Sequence, residues 1–453
     1  MDYKKKSFRY YYWFSQEYFK KHLKIITLSF FISLILIVSF ISLSPYLITV
    51  ITPKKEVIGY IGNYNETNLP EEIISYISNS ILVIGSKGNY LPVLAKYWEI
   101  KKNGQEYLIH LKSDLYWNDG KNFQAKDFNL EFKDVKTEIV DKYLIKFTLN
   151  KPLAIFPSYL TKPILKQSLI GVAGLYKVDQ IKKENDQIKE LYLSPNKTNL
   201  PTIVYKFYEN ENQMITAYKL GEIRQMKVFR KNIADIFSNW KNTEIKKTID
   251  YSRLLTVFFN LNNKMLKEKE IRQAIDQGID REKLAEFGTM ADSPISPSSW
   301  AYNANLKKST YDLEAGREIF KNDSSSSSAE LTISTFYEYL EIAEKIKDFL
   351  ISLGIKVNTK VLSTGTSDFD LLLAYWNLPP DPDQYYFWHS TQIKQGNITG
   401  YKNLKVDKLL EDARNSFSLE DRKKLYLDFQ KVIVDDKPSL FLLYPYVYEI
   451  KRK

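Results

Sequence analysis

The stretch Leu331–Leu362, LTISTFYEYLEIAEKIKDFLISLGIKVNTKVL, reads as a strand (Leu331–Thr335), a helix (Glu338–Leu353), a glycine stop at Gly354 and a second strand (Ile355–Leu362). A helix between two strands implies that the strands run parallel and that the crossover is right-handed. Downstream, Asp368–Trp376 reads as a further strand. Helices are expected at 404–415 and 419–435, and Ser439–Tyr448 is strand-like. Upstream, Leu254–Asn260 is a continuous apolar run, as expected of a strand buried on both faces. Helical text begins near Glu268, with Ile271, Ile275 and Ile279 recurring every four residues. The run Ser324–Ser328 after Asn322-Asp323 is a low-complexity surface loop.

Further upstream the text is richer in strands. Glu211–Leu220 predicts a helix capped at Gly221, and strands are expected around Gly174–Val178 and Ile203–Tyr208. Residues 139–149 are strand-rich, and Tyr107–Leu111 alternates between the turns Lys101–Gly104 and Asn118-Asp119-Gly120. His110 in that strand reads as a packed or surface residue. Residues 56–80 predict a strand, a polar turn and a helix after Leu69-Pro70. The class is α/β with mixed sheets.

With 453 residues, 44% of them apolar and 26% charged, the chain can fill two or three domain-sized cores. It has no cysteine, which removes disulfides, thiolate metal sites, thiol nucleophiles and lipid-modified cysteine anchors. The three histidines, His22, His110 and His389, are too scattered for a histidine-rich metal site. Net charge is +11, and the first 24 residues hold seven Lys/Arg against Asp2 and Glu17. The rest carries no concentrated basic stripe, so no nucleic-acid partner is expected. No 20–50-residue period recurs, which excludes solenoids and propellers.

From Ile25 to Pro53 there is no charged residue, and the run is long enough for a roughly 30 Å hydrocarbon core. The basic residues before it, with Tyr10, Tyr11, Tyr12 and Trp13 as interfacial aromatics, place the N-terminus in the cytoplasm. The apolar run exceeds that of a cleavable signal, and Pro45 follows the only small-x-small candidate, Ser42-Leu43-Ser44. An uncleaved anchor is expected, with everything after Lys54 outside.

Phosphate-binding glycine loops, the nucleophile-elbow motif and the His-Glu-x-x-His zinc motif are all missing. Asp381-Pro382-Asp383 could supply paired carboxylates for glycoside hydrolysis, but two Asp around a Pro more often shape a turn. Neither a catalytic residue, a metal nor a cofactor is expected. An aromatic-rich α/β ectodomain without catalytic signature points to binding.

Segments in order along residues 60–450 resemble the solute-binding proteins of oligopeptide/dipeptide ABC importers, solute-binding protein family 5. They are Leu94-Ala-Lys-Tyr-Trp-Glu-Ile with Tyr107–Leu111, Trp117–Gly120 and Phe123–Asp127; Gly174-Leu-Tyr-Lys-Val178; and Phe259-Asn260 with Ile271-Arg-Gln-Ala-Ile275 and Gly278-Ile-Asp-Arg281. Pro294–Pro297 with Trp300–Asn303, Phe369–Trp376 with Asp381-Pro-Asp383, and Gly400–Asn403 leading to Val406-Asp407 complete the set. The resemblance implies a periplasmic-binding-protein-like fold of two α/β lobes around a cleft, preceded here by one transmembrane helix. The expected organisation is a cytoplasmic tail (1–24), an anchor (25–51), a first lobe (56–258, completed by 438–453) and a second lobe (259–437). The chain would cross near Phe259-Asn260 and return near Pro438.

The chain departs from that family in three places. The missing cysteine leaves the anchoring role to the helix. The stretch between Phe132 and Ile139 is short, which trims the first lobe. Peptide-binding members carry an Asp between the strand-end Trp and the Asp-Pro that pairs with the peptide amino group, whereas here the interval is Asn377-Leu378-Pro379-Pro380. Ligand contacts are expected from Trp376, Asn377, Asp381, Asp383, Trp300 and Tyr302. Tyr375 would point the opposite way from Trp376, because strand side chains alternate. Arg272 is expected in a salt bridge, and Trp117–Gly120 in a structural hairpin. The expected function is a monomeric, membrane-anchored solute-binding protein that delivers peptides or similar solutes to an ABC permease. The rivals are a surface sensor, scaffold or chaperone without transport, and a hydrolase using Asp381 and Asp383.

Overall fold

The computed structural model describes residues 8–51, 54–322, 330–363 and 369–453. The serine run 324–328 and the expected strand start at Asp368 lie outside them. Around the opening stretch, Glu330–Phe336 and Lys356–Leu362 pair in parallel, Glu330 opposite Lys356 through Phe336 opposite Leu362, across the helix Leu340–Ser352. Gly354 holds φ +94°, a left-handed turn that glycine takes without strain and that stops the helix. Leu371–Asn377 adds a parallel neighbour, and Arg253–Phe259 pairs antiparallel with it, Arg253 opposite Asn377.

Arg253–Phe259 is central, and alternation sends its side chains into two cores. Leu255, Val257 and Phe259 join Leu371 and Leu373 against Ile271, Ile275 and Ile346; Leu254 and Phe258 join Leu372 and Ala374 against Val406, Leu410 and Phe429. Each fully buried side chain of this size contributes about 1.5–3 kcal/mol, so the uninterrupted apolar run is what a two-faced strand requires. The amphipathic helices Lys269–Gly278, Leu404–Asn415 and Leu419–Asp436 cover the faces. Asn403 caps the second helix, and Ser418 the third.

The strand Ser439–Arg452 joins the two lobes. Its first residues pair with Arg253–Phe259, and its last with Gln225–Val228 and Thr243–Ile249. The chain enters the second sheet between Ile249 and Arg253, before Phe259-Asn260, and Ser439–Leu443 still belongs to that sheet. Phe259-Asn260 is where the central strand ends, a position that reads in sequence like a crossing.

The first lobe has two cores. One gathers around the helix Glu211–Leu220, capped at Gly221 as expected, with Met226, Val228, Tyr448 and Ile450. The other sits under a four-stranded antiparallel sheet in the order Ala95–Lys101, Glu106–Leu111, Leu144–Leu149, Val135–Asp141. Trp117 is buried there, and Asn118 donates to the carbonyls of Ile77 and Tyr176, so this hairpin is structural. Below, residues 81–172 are called the subdomain.

The N-terminal unit is described by itself. Phe8–Ile51 is one 44-residue helix, and among the described residues one helix is long and apolar enough to cross a membrane. The expected tail 1–24 is therefore helical from Phe8 onward. The aromatic and basic residues there are good enough helix formers to extend the apolar run.

Candidate functional site

Trp376 lies near the end of Leu371–Asn377, and its indole N–H donates to Thr256 Oγ1 at 3.0 Å. Phe387 meets its ring edge-on at 4.6 Å between centroids, with Phe258 and Trp388 each at 6.0 Å. It is half-buried and forms the rim of the second core. Tyr375 points to the opposite face, as alternation requires, and packs edge-on against Tyr339 at 4.8 Å.

Beyond Pro380 the chain builds a charged cluster facing the subdomain. Asp381 Oδ1 accepts from Arg422 at 2.7 Å, and its Oδ2 accepts from the hydroxyl of Tyr90, a subdomain residue, at 2.7 Å. Both members of the ion pair are buried. Burial raises the Tyr90 pKa, and the carboxylate beside it raises it further, so the phenol stays a donor. Burial works against the charge on Arg422, but Asp381 outweighs it and holds the guanidinium above its ordinary value.

Asp383 accepts from Arg414 Nε at 3.0 Å and Nη2 at 2.8 Å. Arg414 also donates to the Tyr159 hydroxyl at 3.2 Å, and its backbone carbonyl accepts from Ala154 at 2.9 Å. Its guanidinium lies 4.0 Å over the Tyr385 ring. Here too burial opposes the charge and Asp383 overrides it. Tyr159 and Ala154 are subdomain residues, so both arginines tie the second lobe to the first. Gly88 seals the same contact. It holds φ +83°, and a Cβ there would run into the Trp300 ring.

Residues 89–397 match the family model described as Bacterial extracellular solute-binding proteins, family 5 Middle. The chain belongs to this family. The oligopeptide-binding protein AppA of Bacillus subtilis is 30% identical over 282 residues, which are 54% of this chain and 51% of AppA, so that match spans about half of AppA. Di/tripeptide-binding protein 1 of Pseudomonas aeruginosa is 21% identical over 444 residues, 80% of this chain and 82% of the relative. Among solved structures, NikZ from Campylobacter jejuni in complex with Ni(L-His) gives a TM-score of 0.74 at 24% identity, covering 89% of this chain and 95% of that one. AppA from Bacillus subtilis in complex with a nonapeptide gives 0.71 at 22%, with the same coverages. These likenesses fix the two-lobed fold.

Within that family fold the expected ligand residues separate into three places. Trp376 and Asn377 are at the strand end, with Asn377 exposed. Trp300 belongs to the interlobe cluster, beneath Gly88 and 5.3 Å from the Arg422 guanidinium. Tyr302 lies elsewhere on the second core, within the field of Asp292. Asp381 and Asp383 stand in the interlobe cluster, each paired with an arginine. Arg272 is corrected. It donates to the carbonyls of Asp436 and Lys437, where Leu419–Asp436 ends, and to those of Leu266 and Lys267, so it caps backbone.

Sequence reading missed Arg253. It begins the central strand, and its guanidinium lies 4.6 Å from the Phe229 ring of the first lobe and 4.8 Å from the Tyr375 ring of the second. The available signal was a cation opening an otherwise apolar strand.

Proposed function

We propose that the protein is an extracytoplasmic solute-binding protein, tethered by the Phe8–Ile51 helix, that captures peptides or similar small solutes between its lobes for an ABC permease. The observation that carries this reading is the interlobe face. Two sheets share the Ser439–Arg452 strand, and aromatic and charged side chains from both sides meet beside the strand end at Trp376 and Asn377. In open α/β sheets ligands sit beside strand ends, and lobes joined by few strands close on them by hinge motion. The names of the relatives, oligopeptide-binding and di/tripeptide-binding, favour peptides as the solute class. Asp381 and Asp383 support binding over hydrolysis, because each carboxylate already neutralises an arginine. Trp376 and Asn377 are the first ligand contacts in this reading, with Trp300 and Tyr302 at the edges.

Purifying the full-length chain in mild detergent, releasing bound small molecules with denaturant and identifying them by mass spectrometry tests it. Peptides or a defined small solute are expected at near-equal stoichiometry. A chain that carries nothing, and that retains nothing from a mixed tripeptide library, overturns the reading. Co-purification with a permease separates delivery from a sensor or scaffold role.

A further inference from the structure

The solute-binding reading above leaves the charge of the ligand open, and one side chain addresses it. Arg253 stands where the lobes meet, its guanidinium placed between a first-lobe ring (Phe229) and a second-lobe ring (Tyr375). Of its five N–H donors one has a partner among the described residues, the Tyr339 hydroxyl, at a long 3.3 Å. No carboxylate among the described residues comes within 4 Å of it. The nearest acid along the chain, Asp250, turns back to accept from the backbone and hydroxyl of Ser252. Glu72, on the first-lobe side, is taken by Lys227. Every other interlobe arginine described above has its carboxylate, Arg422 with Asp381 and Arg414 with Asp383. Arg253 does not.

Its surroundings hold it ready for an anion. Both rings lie within cation–π distance of the guanidinium, and a guanidinium held against aromatic faces still presents its N–H edge to a ligand. Tyr60, Tyr339 and Tyr375 all feel its charge. Burial, with Glu72 and Tyr64 nearby, pushes the Tyr60 hydroxyl up to about 12 while Arg253 pulls against it, so that phenol remains a neutral donor at physiological pH. Directly across the strand pair from Arg253 is Asn377, which opens an interval, Asn377–Pro380, without any acid. Asp250 and Glu72 also act on Tyr60, so what favours an anion here is the Arg253 guanidinium itself.

We propose that Arg253 is the anion-recognition residue of the cleft and that the solute docks a carboxylate on it. A guanidinium fork matches a carboxylate with two parallel hydrogen bonds, and closure of the lobes around the ring–guanidinium–ring stack buries that pair.

The test uses the full-length chain in detergent and three probes: a mixed tripeptide library with free C-terminal carboxylates, the same library C-terminally amidated, and glutarate, an anion without peptide bonds. Retention is read by native mass spectrometry and affinity by calorimetry. The free-acid library should bind at least about tenfold more tightly than the amidated one, as loss of a charge-assisted pair implies. Arg253→Met should lose that preference, with Arg253→Lys keeping part of it. Equal binding of both libraries, or undiminished free-acid binding by Arg253→Met, overturns the assignment while leaving peptide binding intact. Retention of glutarate in an Arg253-dependent manner without any peptide upholds Arg253 and overturns the peptide reading. If the wild-type chain retains none of the three, both fall. If Arg253→Met fails to fold, Arg253→Lys decides the question, an acid-to-amide ratio unchanged from wild type in that variant overturning the assignment.

Discussion

At the scale of single residues, Trp376 carries two loads that sequence alone could not separate. Its position at a strand end suggests a ligand wall, but its ring is also wedged among Phe258, Phe387 and Trp388, with its N–H on Thr256. Truncation to Ala should therefore cost about 2–3 kcal/mol of stability, below the roughly 3–5 kcal/mol of fully buried aromatic-to-Ala changes because the ring is half-buried. Trp376→Phe keeps the packing and loses the hydrogen bond, at about 1 kcal/mol. Guanidinium denaturation checks both values. If Trp376→Ala unfolds at the wild-type midpoint, the ring is free in the cleft and purely a ligand contact. Asp381 is the sharper case. Removing its charge by Asp381→Asn strands the buried Arg422 and weakens the acceptor of Tyr90, so a loss of about 3 kcal/mol or more is expected. The double change Asp381→Asn with Arg422→Met should recover part of it, since the uncompensated charge is then gone. An Asp381→Asn loss below about 1 kcal/mol would mean that the cluster contributes little to holding the lobes.

At the scale of elements, the long helix Phe8–Ile51 makes a prediction of its own. Long and apolar enough to cross a membrane, with interfacial aromatics at its start, it should hold the chain in membranes through an alkaline carbonate wash. Mature protein whose N-terminus begins near Pro45 would show the helix to be a cleaved leader. Periodicity made most elements legible, because the physics that forms them is local. The 331–362 βαβ unit, the Gly221 cap and the paired helices near 404 and 419 all follow from residues within a few turns of one another. What stayed illegible is set by residues far apart in sequence. That Arg253–Phe259 belongs with the second lobe is decided by Leu371–Asn377, more than 100 residues later. That Arg272 caps carbonyls at Asp436 and Lys437 depends on a helix end that folds back onto it. The carboxylates of Asp381 and Asp383 looked available because their arginines sit 41 and 31 positions downstream.

At the scale of the two lobes, the contacts between the subdomain and the second lobe act as a latch whose fit depends on a missing side chain. Tyr90 on Asp381, Tyr159 on Arg414 and Ala154 on the Arg414 carbonyl all need the surfaces to meet closely, and Gly88 meets the Trp300 ring where a Cβ has no room. Trp300 cannot swing away cheaply, since its ring is held edge-on by Tyr426 at 6.0 Å and lies against Arg422. Gly88→Val therefore adds both a left-handed backbone strain and a wedge, while leaving each lobe's own core untouched. The lobes should be propped apart and the closed population reduced, and apparent solute affinity falls by the same fraction. Because the chain has no cysteine, Lys121→Cys in the subdomain and Lys405→Cys on the second lobe can carry a clean pair of spin labels. Pulsed dipolar spectroscopy on that pair should give a distribution that narrows with the free-acid tripeptide library and moves to longer distances in Gly88→Val. Labels that report the same distribution in wild type and Gly88→Val, with a melting temperature that also stays put, would show that the Gly88–Trp300 contact has room to spare and that closure is governed elsewhere.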